Sequence, residues 1–202
     1  MIRAVIWDFG GVLLRTEDYT PRDKLAESIG KKREELEYLL YAGESSRSAQ
    51  SGQITWQAHL DYVAGSLGLQ PYEMEDFLER FWKGDRLDAD LLNSIRSLKK
   101  HYKMGLLSNA FENLRELIGE YWKFDDVFDK VIVSAEVGMM KPEARIYQLM
   151  LRELEVAAAE AVFVDDFLEN VESAREVGLY AIHFKSPQQA LGELEEILNG
   201  AC

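Results

Sequence analysis

AVIWDFGGV, at residues 4–12, joins a short apolar run to an acidic residue and two glycines. The run at residues 4–7 lacks polar alternation, which is typical of a parallel strand covered on both faces. Asp8 follows it directly, where a carboxylate can serve as a nucleophile, a metal ligand or a turn residue. Gly10 and Gly11 allow a tight turn whose backbone N–H groups face an anion. The stretch therefore predicts a buried strand that ends in a polar turn.

Four more short apolar runs of the same kind follow along the chain. They lie at residues 104–107, 131–133, 161–164 and 179–182. Stretches with helical periodicity separate them, at residues 112–120, 143–154 and 170–177. Strands and helices that alternate in this way predict an α/β fold with a doubly wound parallel sheet.

Residues 16–84 interrupt this alternation. They contain no convincing strand, and their apolar residues recur at helical spacing. Glycines and Pro71 divide the interval into four or five helices. The pattern predicts a helical insertion at residues 16–84 within a core made of residues 1–15 and 85–202, with most leucine and aromatic side chains of the insertion forming a bundle core.

The composition limits the classes of function. Lys and Arg number 23 and Asp and Glu number 36 among 202 residues, which gives a formal net charge of −13. Without a basic run, this balance argues against nucleic acid or a membrane surface as a partner. The single cysteine, Cys202, excludes an intrachain disulfide and a multi-cysteine metal site. No apolar run is long enough for a signal peptide or a membrane span, so we expect a cytoplasmic protein, whose oligomeric state the sequence leaves open.

Polar residues also follow later strands, at the edge where open α/β sheets bind ligands. Ser108 and Asn109 offer a hydroxyl and backbone N–H groups that can hold phosphate oxygens or simply cap the next helix. Lys141 precedes Pro142 in a strand-to-helix connection and by itself is equally well explained as a surface charge.

Asp165 and Asp166 directly follow the fourth strand. Adjacent carboxylates in a crevice repel and raise each other's pKa unless a cation is present. Mg²⁺ suits an all-oxygen site of this kind. The pair therefore predicts a magnesium site, and Asn170 is expected to brace its loop.

In this order, the four motifs resemble those of the haloacid dehalogenase-like hydrolase superfamily, over nearly the whole chain. The motifs are Asp8-Phe9-Gly10-Gly11-Val12, Ser108-Asn109, Lys141-Pro142, and Val164-Asp165-Asp166 with Asn170. Each motif is weak alone, but the ordered set is specific. The resemblance implies a Rossmann-like core, a helical cap formed by the insertion, and an active site between them.

For the phosphatases of this superfamily, the resemblance implies that Asp8 attacks phosphorus and forms an aspartyl-phosphate, which water then hydrolyses. It implies that Mg²⁺ is held by Asp8, the Gly10 carbonyl, Asp165 and Asp166, and leaves open which of the last two is the direct ligand.

The resemblance also implies which residues contact the phosphorylated small-molecule substrate. Lys141 is expected to hold phosphate oxygens, to keep Asp8 ionised and thus to take part in catalysis. Ser108 is expected to bind another phosphate oxygen. Gly10, Gly11 and Asn109 complete the candidate substrate-binding set.

One position departs from the family pattern. A second Asp, the general acid and base, usually lies two residues after the nucleophile, and here that residue is Gly10. Loss of such a group typically costs about 10²- to 10⁴-fold in rate. Arg15, Glu17 or an acid from the cap are candidate replacements.

Three functions stay open. The first is a Mg²⁺-dependent phosphatase of a small phosphorylated metabolite, such as a sugar phosphate. The second is a metal-independent 2-haloacid dehalogenase, which the adjacent Asp165 and Asp166 disfavour. The third is a phosphoryl-binding protein that turns over weakly because it lacks the usual acid. Residues 44–48 are expected to form a polar loop, which either offers Arg47 to a substrate or is a solvated connection.

Overall fold

Five parallel strands form the central sheet of the computed structural model, which describes residues 1–200 and leaves Cys202 outside the described residues. In chain order, the strands are β1 Ala4–Trp7, β2 Leu14–Thr16, β3 Asp85–Leu87, β4 Lys103–Ser108, β5 Lys130–Val133, β6 Ala161–Asp165 and β7 Tyr180–His183. The sheet has the order β5-β4-β1-β6-β7, and every neighbouring pair in it is parallel. The predicted doubly wound α/β fold is confirmed.

Five helices follow β2 in the predicted helical insertion, which is referred to below as the cap. They are α1 Thr20–Ser28, α2 Arg33–Glu37, α3 Glu44–Gln50, α4 Trp56–Leu67 and α5 Met74–Trp82, with a π-helical turn at Tyr38–Ala42 and a 3-10 turn at Pro71–Glu73. Leu25, Leu36, Val63 and Phe81 lie in one buried apolar cluster, as a bundle core requires. The expected polar loop at residues 44–48 was wrong, because these residues form most of α3.

Amphipathic helices cover both faces of the sheet with their apolar sides. The core helices are α6 Ala89–Leu98, α7 Leu114–Glu116, α8 Ser134–Val137, α9 Ala144–Leu154, α10 Leu168–Val177 and α11 Pro187–Leu198, with a π-helical turn at Leu117–Tyr121 and 3-10 turns at Asp125–Val127 and Ala158–Glu160. Val5 and Trp7 of β1 pack in one apolar cluster, and Ala4 and Ile6 pack in the other. Burial on both faces explains why the strand lacks polar alternation. Within residues 1–200, no helix has the length and apolar character needed to cross a membrane.

A short antiparallel ribbon of β2 and β3 joins the core to the cap. Neither strand was predicted from the sequence, because three residues are too few to display alternation. Arg22 of α1 donates two hydrogen bonds to Asp85 of β3, at 2.7 and 2.8 Å, and so ties the cap to the ribbon. The division at residues 16 and 84 stays a prediction, and it coincides with this ribbon.

Candidate active site

Three carboxylates meet at the carboxyl edge of the sheet. Trp7 of β1 pairs with Val164 of β6, so Asp8 and Asp165 leave the two strands side by side. Asp8, Asp165 and Asp166 each contribute an oxygen, and these oxygens lie within 4.8 Å of one another. Asp8 is 6% exposed and Asp165 is fully buried. Charges this close and this deeply buried repel one another, so they either take up protons or need a cation among them.

Lys141 supplies one such positive charge. Its Nζ lies 2.7 Å from Asp8 Oδ1 and 2.7 Å from Asp165 Oδ2. Burial lowers the pKa of Lys141, but the two carboxylates outweigh burial and hold this pKa above its ordinary value. The ammonium is therefore charged, and a lysine that the sequence alone could not distinguish from a surface charge lies at the centre of the site.

The single positive charge of Lys141 does not fully offset the negative charges of the three carboxylates. Burial, reinforced by Asp165 and opposed by Lys141, raises the pKa of Asp8 to about 8. Burial and the charge of Asp165 raise the pKa of Asp166 to about 6. Protons therefore occupy part of this site near neutral pH, and a divalent cation would displace them.

The acceptor sites of Asp165 are all occupied. Its Oδ1 accepts hydrogen bonds from Phe167 N at 2.8 Å and Asn170 Nδ2 at 3.0 Å. Its Oδ2 accepts from Asn170 Nδ2 at 3.1 Å and Lys141 Nζ at 2.7 Å. Because a carboxylate offers about four lone-pair sites, Asp165 has no acceptor site left. Asn170 braces the loop as the sequence analysis expected.

Asp166 has the opposite environment. Its Oδ1 is buried and has no hydrogen-bond partner among residues 1–200. A buried carboxylate oxygen without a partner carries a large desolvation cost, which a bound cation would remove. The donors are all oxygens, as Mg²⁺ prefers, so the residues present fit this ion.

The two glycines after the nucleophile differ in their surroundings. Gly11 has φ +77°, and a Cβ there would lie 2.1 Å from Asp166 Oδ2. Gly10 has nothing within 4 Å of its Cβ position. Glycine is therefore required at Gly11 for the approach of Asp166, whereas Gly10 leaves the usual position of the general acid empty.

Arg15 does not supply the missing acid. Its guanidinium forms an ion pair with Asp88 and donates to the carbonyl of Val12. An arginine also stays protonated at the pH at which enzymes work, so it cannot exchange a proton with a leaving group. Glu17 is exposed, and its role as a replacement stays a prediction.

Ser108 is the last residue of β4, and Asn109 follows it at the same edge of the sheet. Ser108 is buried, and its contact with phosphate stays a prediction. Asn109 Nδ2 donates to the Lys141 carbonyl at 2.8 Å, and Asn109 Oδ1 accepts from Lys141 N at 2.8 Å. Both ends of this carboxamide thus hold the backbone of Lys141, so the predicted substrate contact of Asn109 is left to its backbone N–H.

Ser134 connects the cap to the loop after β4, and the sequence did not predict this role. Its Oγ accepts from Ala110 N at 3.0 Å and donates to the Gln50 carbonyl at 2.6 Å. A Cβ on the neighbouring Gly52 would lie 2.3 Å from the Ala135 carbonyl oxygen, so the backbones are in direct contact. No sequence signal marks Ser134, because its partners come from distant segments.

Comparison with known proteins extends these observations. The profile for haloacid dehalogenase-like hydrolases matches residues 2–178. A sesquiterpene phosphatase of Aspergillus oryzae is 27% identical, over 97% of this chain and 96% of the relative. A D-ribitol-5-phosphate phosphatase of Bacteroides thetaiotaomicron is 26% identical, over 98% of this chain and 100% of the relative.

A solved structure shares the fold. It is an enzyme of the same family from Bacteroides thetaiotaomicron, crystallised with magnesium and inorganic phosphate. It superimposes with a TM-score of 0.76 at 22% identity, over 92% of this chain and 95% of that one. With the profile match over most of its length, the chain belongs to the haloacid dehalogenase-like hydrolases.

Proposed function

We propose that this protein is a magnesium-dependent phosphatase that hydrolyses a small phosphate monoester through an aspartyl-phosphate. The observation that carries the proposal is the cluster of Asp8, Asp165, Asp166 and Lys141, in which Asp166 Oδ1 is buried without a partner. Phosphatases among the relatives that match over their whole length support the proposal. The magnesium and phosphate in the fold neighbour are consistent with it.

Asp8 is the proposed nucleophile. Its Oδ1 accepts hydrogen bonds from Phe9 N and Lys141 Nζ, both at 2.7 Å. No hydrogen bond among residues 1–200 uses its Oδ2, and we assign the attack on phosphorus to this oxygen. The new bond joins Oδ2 to phosphorus as the alkoxide leaves, and water then cleaves the acyl-phosphate to regenerate Asp8 and release phosphate.

Asp8, the Gly10 carbonyl and Asp166 are the proposed direct ligands of Mg²⁺. Because hydrogen bonds occupy all acceptor sites of Asp165, we assign Asp165 the role of holding Lys141 and the loop in place. When bound, Mg²⁺ supplies positive charge that offsets the repulsion between an anionic carboxylate and an anionic phosphate. Lys141 adds charge from the other side and favours the ionised form of Asp8.

The absence of a side chain at Gly10 affects the leaving group. An alkoxide of high pKa needs a proton as its bond to phosphorus breaks, and Gly10 offers none. We therefore expect p-nitrophenyl phosphate, whose leaving group needs no proton, to react much faster than alkyl phosphates.

Hydrolysis of p-nitrophenyl phosphate with and without Mg²⁺ tests the proposal. We expect turnover with Mg²⁺, loss of turnover in EDTA, and recovery when excess Mg²⁺ is added back. Asp8→Asn keeps the shape of the side chain but removes its negative charge, and it should abolish turnover. A phosphoenzyme trapped by acid quench should form in the unmodified protein and be absent from this variant.

Two results would contradict the proposal. Halide release from 2-chloropropionate in EDTA would identify a metal-independent dehalogenase. Tight binding of inorganic phosphate in Mg²⁺ without any ester hydrolysis would identify a phosphoryl-binding protein that has lost turnover.

A further inference from the structure

Aromatic rings from the cap and from the loop that follows Ser108 meet in one cluster. Phe111 lies three residues after Ser108, on the loop that leaves the carboxyl end of β4. Its ring centroid is 4.3 Å from that of Trp56 at the start of α4, and the Trp56 centroid is 6.2 Å from that of Trp82 at the end of α5. We refer to Trp56, Trp82 and Phe111 as the aromatic wall.

The aromatic wall is only partly buried. All three of its side chains retain exposed surface, although Trp56 and Trp82 also pack against the apolar cluster of the cap. Phe111 belongs to neither apolar cluster of the core, so its ring is not needed to fill the core. The contact of Gln50 with Ser134 holds the cap against the same loop. An apolar surface is therefore fixed on the loop that begins directly after Ser108, a residue of the candidate active site.

Nearby polar groups bond mainly to one another. Trp82 Nε1 donates to the Tyr41 hydroxyl at 2.6 Å. His59, whose ring stacks 5.4 Å from that of Phe111, is hydrogen-bonded through both ring nitrogens, to Ser45 Oγ at 3.0 Å and to the Leu40 carbonyl at 3.3 Å.

The aromatic wall itself offers few polar contacts to a ligand. No side-chain hydrogen bond among residues 1–200 uses the indole N–H of Trp56, so this group can serve one oxygen of a ligand. The backbone N–H of Trp56 is already used by Glu112 Oε1 at 3.3 Å. Glu112 brings a negative charge to the edge of the wall, which disfavours a second anionic group on a ligand.

These features discriminate between kinds of leaving group. A polyol has several hydroxyl groups, each of which loses hydrogen bonds to water and needs a new partner when it is buried. One indole N–H does not satisfy several hydroxyls. An apolar alcohol gains from burial against the rings and needs few polar partners.

We propose that the aromatic wall binds the leaving group, and that the protein prefers phosphate monoesters of neutral, mainly apolar alcohols over those of polyols. This inference rests on the proposed phosphatase function and narrows its substrate class. An ester of an apolar alcohol differs from the sugar phosphate that was considered from the sequence.

A series of n-alkyl phosphates from ethyl to octyl tests the inference. The leaving groups have nearly the same pKa, so the chemical step stays constant while the apolar contact grows. We expect kcat/KM to rise about fourfold for each methylene that the wall covers. n-Propyl phosphate should exceed glycerol 3-phosphate, which has the same carbon skeleton with two hydroxyls added, by about tenfold or more.

Three variants connect the effect to the aromatic wall. Phe111→Ala should flatten the dependence of kcat/KM on chain length, whereas Trp56→Phe keeps an aromatic ring and should preserve most of it. Tyr72→Ala is the matched control, because Tyr72 is a cap aromatic residue that is 82% exposed and lies outside the wall. It should retain the full dependence, and circular dichroism should confirm that each variant is folded.

The outcomes separate this inference from the proposed function. If p-nitrophenyl phosphate is hydrolysed but chain length has no effect, or if Phe111→Ala retains the dependence, the inference is wrong and the phosphatase assignment stands. If no ester is hydrolysed, the binding of ethyl- and octylphosphonate in Mg²⁺, followed by tryptophan fluorescence, tests the inference instead. Tighter binding of octylphosphonate that is lost in Phe111→Ala supports the wall as an apolar binding surface, and equal binding rejects it.

Discussion

Gly11→Ala should displace Asp166 and weaken magnesium binding without any change to a charged residue. The added Cβ would lie 2.1 Å from Asp166 Oδ2, 2.4 Å from its Cγ and 2.7 Å from its Oδ1. These distances are far below contact distance, so the carboxylate has to move. Gly10→Ala is the matched control, because its Cβ meets nothing within 4 Å.

Two effects set the magnitude for Gly11→Ala. At φ +77°, a side chain costs about 1–2 kcal/mol of unfolding free energy, because the left-handed region is unfavourable for residues other than glycine. If Asp166 is a direct ligand as proposed, its displacement should lower Mg²⁺ affinity by more than the 10- to 100-fold that is typical when a residue supporting a ligand is lost. Gly10→Ala has no clash and should stay within about 1 kcal/mol of the unmodified protein.

Magnesium titration and thermal unfolding in EDTA measure the two effects separately. We expect the Mg²⁺ concentration for half-maximal hydrolysis of p-nitrophenyl phosphate to rise by about 100-fold or more in Gly11→Ala and to change little in Gly10→Ala. If Gly11→Ala folds and binds Mg²⁺ as tightly as Gly10→Ala does, then Asp166 is not a direct ligand, and the reasoning from its unpartnered oxygen is refuted.

Three further predictions concern the same cluster. A Cβ at Gly10 meets nothing within 4 Å, and Gly10→Asp should accelerate hydrolysis of alkyl phosphates by up to about 10²-fold while the rate with p-nitrophenyl phosphate changes little. Equal effects on both substrates would argue against acid catalysis. In EDTA, Asp8→Asn should raise the melting temperature at pH 9 more than at pH 5. With a folded-state pKa of about 8, Asp8 destabilises the folded protein more and more as pH rises, and asparagine does not ionise. An equal rise in melting temperature at both pH values would contradict that pKa. Mg²⁺ affinity should increase from pH 6 to pH 8, because protons on Asp166 and Asp8 compete with the metal; calorimetry in buffers of different ionisation enthalpy should detect the released protons, and a pH-independent affinity would show that the carboxylates are already ionised.

The central sheet could be predicted from the sequence because its strands are buried on both faces. Apolar runs without polar alternation, such as residues 161–164, are a local signal that does not depend on distant segments. The ribbon of β2 and β3 was missed for the opposite reason. Each strand has three residues, and the pairing of Leu14 with Leu87 joins parts of the chain that lie on either side of the cap.

The roles of individual site residues were only partly accessible from the sequence. The resemblance to a known family placed Lys141 beside Asp8, and the structure has their side chains 2.7 Å apart. The sequence alone does not show which of the adjacent residues Asp165 and Asp166 binds a metal. They differ in the structure because Asn170 and Lys141 occupy the acceptor sites of Asp165 alone.

The sequence by itself determined the layered α/β architecture, because the burial of a strand follows from a short local pattern. It also determined that polar residues lie at one edge of the sheet, because they directly follow the strands. Only the tertiary structure decided which carboxylate is free for a metal and where Phe111 meets Trp56. Both depend on contacts between segments far apart in the chain, and burial, on which the pKa values of Asp8 and Asp166 depend, exists only after the chain has folded.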